Sequence, residues 1–144
     1  MFSLDPRLDN DTYVIAEFKL CRALLMNDAR YPWVILVPRI TGLTEIYQLS
    51  QTDQQQLMLE SNTVSKALAE LVSADKMNVA ALGNVVSQLH IHHVARYHQD
   101  EAWPAPVWGK GEAVAYSEQE YQAVIQQLQQ VFKELIEDGK NTTV

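Results

Sequence analysis

Three of the four histidines in this chain fall within residues 90–93, in the stretch Gln88-Leu89-His90-Ile91-His92-His93-Val94. A side chain with an ordinary pKa of about 6.5 is largely neutral at pH 7, so imidazole can attack an electrophile, pass a proton or bind a metal. Successive side chains of a strand point to opposite faces. A strand over 85–95 therefore puts Gln88, His90, His92 and Val94 on one face, and Leu89, Ile91, His93 and Ala95 on the other. Polar side chains at i, i+2 and i+4 suit a strand that presents donors and nucleophiles to a ligand. Spacing alone leaves three uses open. The histidines decorate a half-exposed strand; or His-x-His holds a metal, for which only His98 is near enough in sequence to add a third ligand; or one imidazole attacks phosphorus while its neighbour donates a hydrogen bond.

The elements that must position these residues can be read from period and punctuation. Ser117 and Glu120 form a capping box, followed at helical spacing by Tyr121, Val124, Ile125, Leu128, Phe132, Leu135 and Ile136. That helix is expected to end near Asp138-Gly139, where glycine suits a left-handed cap. A longer helix is expected from about Ser50 to Ser73, with Leu57, Val64, Leu68 and Leu71 on one stripe and Gln54, Gln55 and Gln56 on a solvated face. Strand candidates are TYVIAEF and LCRALLM on either side of Lys19, then WVILVP after Pro32, MNVAAL before Gly83-Asn84, and the histidine segment itself. DEAWPAPVWGKG, with two prolines, two glycines and no period, reads as a loop. The order strands, helix, strands, helix favours an α+β domain on a mostly antiparallel sheet of about five strands.

Composition narrows the partners. The 144 residues are 47% hydrophobic and 20% charged, enough for one domain spanning 1–144 with its own core. A formal net charge of −7 argues against a nucleic-acid polymer, whose binding rests on neutralising many phosphates. A small phosphorylated ligand needs only local donors and is compatible with that charge. No apolar run approaches the roughly 20 residues that span a bilayer, so no membrane partner is expected. The start MFSLDPRLDND is acidic where a secretory signal is basic, and Cys21 has no disulfide partner; the expected location is cytoplasmic. Asn141-Thr142-Thr143 has the form of a glycosylation acceptor, which carries little meaning in such a compartment.

Gln88-x-His90-x-His92-His93-Val94 resembles the His-φ-His-φ-His-φ-φ signature of the histidine-triad (HIT) superfamily of nucleotide hydrolases and transferases. Leu24-Leu-Met-Asn27-Asp28 and Pro32-Trp-Val-Ile-Leu-Val-Pro38-Arg39 are similar to that family's N-terminal strand pair, and the Ser50 helix and Asn78…Gly83-Asn84 follow in the family's order. The resemblance covers about residues 12–98 and implies a HIT-like fold, with 99–144 as a C-terminal loop and helix. Three departures stand out. Gln88 occupies the first triad position, His93 replaces an apolar residue, and Tyr31-Pro32-Trp33 stands in place of Pro-Gly-His.

The resemblance implies roles by position. His90 would be the nucleophile at the α-phosphate of a nucleotide conjugate, forming a nucleotidyl-histidine. His92 would donate to the phosphate or bridging oxygen, and Gln88 would supply one more donor and acceptor. Asn78 (across a one-residue gap) and Asn84 would hold phosphate oxygens, and Asn27 or Asp28 the ribose hydroxyls. Asn84 and Asp28 also fit simple turn positions. Trp103 and Trp108 would form a lid over the leaving group, or simply pack the C-terminal segment. No metal or cofactor is implied. A homodimer is, and Met58 and Leu59 beside Leu57 widen the apolar face of the Ser50 helix in a way that suits one. The competing functions are a nucleotide-binding or regulatory module with weak turnover, and a histidine-based metal hydrolase.

Overall fold

A computed structural model describes residues 1–141 of the chain; Thr142 and Thr143 of the acceptor motif lie outside the described residues. Its elements run α1 (Pro6–Asp11), β1 (Thr12–Glu17), β2 (Cys21–Met26), β3 (Trp33–Pro38), a 3₁₀ turn (Ile46–Gln48), α2 (Gln51–Val72), β4 (Lys76–Ala80), β5 (Ile91–Arg96), α3 (Glu118–Val131) and α4 (Lys133–Lys140). The five strands form one antiparallel sheet in the order β1-β2-β3-β5-β4. The fold is α+β, as expected from the order of elements.

The sheet is covered on both faces, which explains why β3 is an unbroken apolar run: all six of its residues are buried. On one face, Ala23, Leu25, Val34, Leu36, Ile91 and Ala95 pack against Leu57, Val64 and Leu68 of α2 and Leu128 of α3. On the other, Leu24, Ile35, Val37 and Val94 pack under Leu8 of α1 and under Ala102 and Val107 of the proline-rich loop. The histidine strand lies between β3 and β4, so its two rows of side chains enter two different cores.

Three sequence expectations need correction. The histidine strand starts at Ile91, not near Val85, because β4 ends at Ala80 opposite His92 and β3 offers no pairing beyond Leu36–Ile91. Residues 85–90 lack sheet partners on both sides, and Leu89 N–H instead donates to the Leu43 carbonyl at 2.9 Å. The C-terminal helix breaks at Phe132, whose ring meets Phe18 edge-on at 5.9 Å. It then continues past Gly139 to Lys140. Gly139 is therefore no left-handed cap; a Cβ there would lie 2.9 Å from Phe18 C and 3.0 Å from Glu17 O, so glycine is needed for helix-to-hairpin approach. The acidic N-terminus, to which the sequence assigned no element, forms α1, capped by Asp5, whose carboxylate accepts from Arg7 N–H at 2.8 Å, with Pro6 in the first turn.

Candidate active site

His90 and His92 sit side by side, with ring centroids 4.8 Å apart and little exposure. Their hydrogen-bond partners fix which nitrogen of each carries a proton. His90 Nδ1 lies 2.7 Å from the Gln88 carbonyl. A carbonyl only accepts, so Nδ1 is the protonated nitrogen and the neutral ring keeps a lone pair on Nε2. His92 has the opposite arrangement. The Trp33 indole N–H donates to His92 Nδ1 at 3.0 Å, and an indole only donates. The neutral His92 ring therefore carries its proton on Nε2. Burial, helped by neighbouring His90 and His93, pushes the His92 pKa down to about 3. One imidazole offers a lone pair and the next a proton.

Both rings line a cavity of about 350 Å³. Its walls are Leu8, Met26, Ile35 and Trp108, with Arg7 and Asp11 of α1 and Asn84 of the loop before the strand. Trp108 stands edge-on to His92 at 5.0 Å and to Trp33 at 5.8 Å. On its other side His90 borders a second cavity, about 450 Å³, with Tyr47, Gln54, Gly83 and Gln88 in its walls. His90 thus stands between two spaces, an apolar one and a more polar one.

His93 faces the opposite core, as the period of two requires. It is fully buried: Ser61 of α2 lies 2.7 Å from its Nε2, and the Val34 carbonyl 3.2 Å from its Nδ1. Burial holds its pKa down, to about 4.

The remaining residues singled out from sequence are dispersed. Gln88 does not join His90 and His92 at the apolar cavity, and meets His90 only along the more polar one. Its side chain donates to the Ser3 carbonyl at 2.9 Å and accepts from Asp5 N–H at 2.8 Å, tying down the N-terminal segment. Asp28 is buried; its carboxylate takes a two-pronged ion pair from Arg30 and also accepts from Val114 N–H, and these bonds hold its pKa below the usual range against the desolvation of burial. Asn27 Oδ1 accepts from Tyr116 N–H. Asn78 accepts from Arg96, a buried guanidinium paired with Asp100 and bonded to the Ala105 carbonyl. Trp103 packs on His98 and Arg96 away from the cavity, and only Trp108 reaches the histidines. Of the residues picked from sequence, the cavity brings together His90, His92, Asn84 and Trp108. Arg7, Leu8, Asp11 and Trp33 were not picked. Asp5-Pro6 was the available signal for a helix that could bring the first three there, and Trp33 stood out only as a departure from Pro-Gly-His.

The family model for the HIT domain matches residues 7–99. The chain belongs to the HIT family. Three solved histidine-triad proteins are similar to it over nearly their whole length. The one from Marinobacter aquaeolei VT8 is 52% identical, with a TM-score of 0.92, covering 94% of this chain and 98% of that one. The one from Sinorhizobium meliloti 1021 is 42% identical (TM-score 0.88; 90% and 96% covered) and the one from Bradyrhizobium japonicum 44% (TM-score 0.87; 94% and 98%). Among curated protein sequences none matches. In this HIT domain His90 and His92 form a pair of adjacent imidazoles, and Gln88 fastens the N-terminal segment.

Proposed function

We propose that the protein is a nucleotide phosphohydrolase or nucleotidyltransferase that acts at the α-phosphate of a nucleotide conjugate through a nucleotidyl-His90 intermediate. The observation that carries this reading is the opposed pair of tautomers. His90 Nε2 has a free lone pair beside a His92 Nε2–H, and both rings line one apolar cavity. His90 Nε2 forms a bond to phosphorus while the bond to the leaving group breaks and its electron pair departs with that group. His92 donates to a phosphoryl or bridging oxygen, where such a donor can contribute on the order of 3 kcal/mol to the transition state. Water then attacks phosphorus and frees His90. Leu8, Met26, Ile35 and Trp108 offer an apolar wall to a nucleoside, in a cavity of ordinary ligand size.

The dispersal of the other candidates sharpens the roles. Gln88 acts through its carbonyl, which sets the His90 tautomer, and through its side chain, which fastens α1. Asp28 and Asn78 serve as structural partners of Arg30 and Arg96. Asn84 remains the phosphate-side candidate, and Trp108 the lid. A nucleotide-binding module with weak turnover is the second reading, supported by the Gln88 side chain, which bonds to the N-terminal segment and does not join His90 and His92 at the apolar cavity. The metal reading is weakened by His98, its one candidate for a third ligand, which packs on Trp103 and does not border the cavity of His90 and His92.

The whole chain is read as one domain acting as a homodimer in the cytoplasm. Met58 and Leu59 of α2 are more than half exposed rather than packed beneath the N-terminal strands, and burying about 800 Å² per partner is ordinary for a specific dimer. Among the described residues no helix is long and apolar enough to cross a membrane. Turnover of a fluorogenic nucleoside phosphoramidate tests the enzyme reading. Release that persists with chelator supports it; tight nucleotide binding with no release supports the module; loss of release on chelation supports a metal hydrolase.

A further inference from the structure

Four of the five arginines are in ion pairs: Arg22 and Arg39 with Glu17, Arg30 with Asp28 and Glu101, Arg96 with Asp100. Among the described residues Arg7 is the arginine with no carboxylate in ion-pair range, and it borders the cavity of His90 and His92. Its Nη1–H donates to the Val85 carbonyl at 3.1 Å, which leaves most of its five N–H donors for a ligand. We propose that Arg7 binds a phosphate beyond the one His90 attacks, so that the site selects nucleoside di- or polyphosphates over monophosphates. This inference rests on the nucleotide reading of the cavity.

Direction along the cavity follows from how α1 is tied down. The Arg7 end is bonded to Val85, in the loop that leads to His90. The other end is bonded to the terminus of β2, where Asn27 N–H donates to the Asp11 carbonyl at 3.0 Å. Residues i and i+4 of a helix lie about 5–6 Å apart on one face, and Arg7 and Asp11 both line the cavity, Arg7 toward Val85 and Asp11 toward the terminus of β2. The Asp11 carboxylate repels a second phosphate at its end and can accept from hydroxyls. Arg7 attracts the phosphate at the other, and a guanidinium can meet its oxygens with two parallel bonds. In a chain of net charge −7 a polyanion needs such a local cation. Gln88 holds α1 in place through its bonds to Ser3 and Asp5.

Calorimetric titration of AMP, ADP and ATP without divalent cations, into wild type, Arg7→Gln and Arg7→Lys, tests this without requiring turnover. Wild type should bind ADP or ATP about tenfold more tightly than AMP, a ratio worth about 1.4 kcal/mol. Arg7→Gln should cut that ratio about fivefold, and Arg7→Lys should keep more of it than Arg7→Gln does, since charge-assisted bonds need the cation. An unchanged ratio in Arg7→Gln overturns the proposal. So does a Lys variant that falls as far as the Gln variant, because packing and not charge would then set the ratio. If wild type binds none of the three, the nucleotide reading fails and takes this proposal with it, a result distinct from binding without discrimination.

Discussion

At His90 and His92 a single backbone carbonyl and a single indole N–H decide which ring nitrogen carries the proton. His90→Ala should remove turnover while the fold persists, because the ring meets a cavity and not a core; retained activity above about a tenth of wild type, a barrier change of only about 1.4 kcal/mol, would sink the assignment. Trp33→Phe keeps an aromatic wall but deletes the donor to His92 Nδ1, so the ring can adopt the wrong tautomer. A fall in kcat of about tenfold is expected from steady-state kinetics. His93→Leu should cost less activity than His92→Ala, but it strands the Ser61 hydroxyl and the Val34 carbonyl, at about 1–3 kcal/mol of stability by chemical denaturation. Equal activity losses in the two variants would mean that the faces have been misassigned. The pH dependence has a defined sign. The His92 and His93 pKa values are depressed to about 3 and about 4, so below about pH 6.5 the unfolded chain gains protons the native state refuses. Stability is full above that pH and falls as pH drops toward 4 and then 3. His93→Leu should flatten the melting-temperature profile between pH 6.5 and 4, by at most about 1.4 kcal/mol per pH unit.

Among the elements, α1 and the lead-in to β5 matter most, and they were the least legible in the sequence. A Gln88→Ala variant loses both bonds to the N-terminal segment. Amide exchange over residues 3–11 should speed up, and the KM for a nucleotide substrate should rise more than kcat falls; unchanged exchange would show that α1 is held by other contacts. Long periodic segments were readable because burial alone dictates them. Leu57, Val64 and Leu68 of the α2 stripe, the apolar run of β3 and the Ser117 capping box occur where period and caps put them, whereas Leu71, the last of the stripe, is exposed near the end of its helix. The start of β5 was hidden because it depends on where β3 and β4 stop, which is a long-range fact. Gly139 misled for the same reason. Its local chemistry suits a cap, but its requirement comes from a hairpin more than a hundred residues away. Gly139→Ala should therefore destabilise the protein by about 1–3 kcal/mol through overpacking, read as a lower denaturation midpoint.

For the whole molecule, the sheet works as a partition. One face carries His93 into the helical core, and the other carries His92, with His90 just before the strand, to the cavity beneath α1 and the Trp108 loop. The histidine cluster was visible in the sequence. The separation of its members could be anticipated only by assuming a strand, and the role of Asn78 could not, because its partner Arg96 is brought to it by the pairing of β4 with β5, whereas Asp28 meets Arg30 only two residues on. The exposed Met58 and Leu59 lead to an expected mass of twice the chain by light scattering at low micromolar concentration; a mass of one chain that stays constant on concentration would defeat the dimer. The central claim concerns His90 itself. Wild-type protein mixed with a nucleoside phosphoramidate, denatured at alkaline pH within the first turnover and analysed by mass spectrometry should carry one nucleoside monophosphoryl group, mapped by fragmentation to His90. A turning-over enzyme that shows no such adduct, or carries it on another residue, would contradict the mechanism.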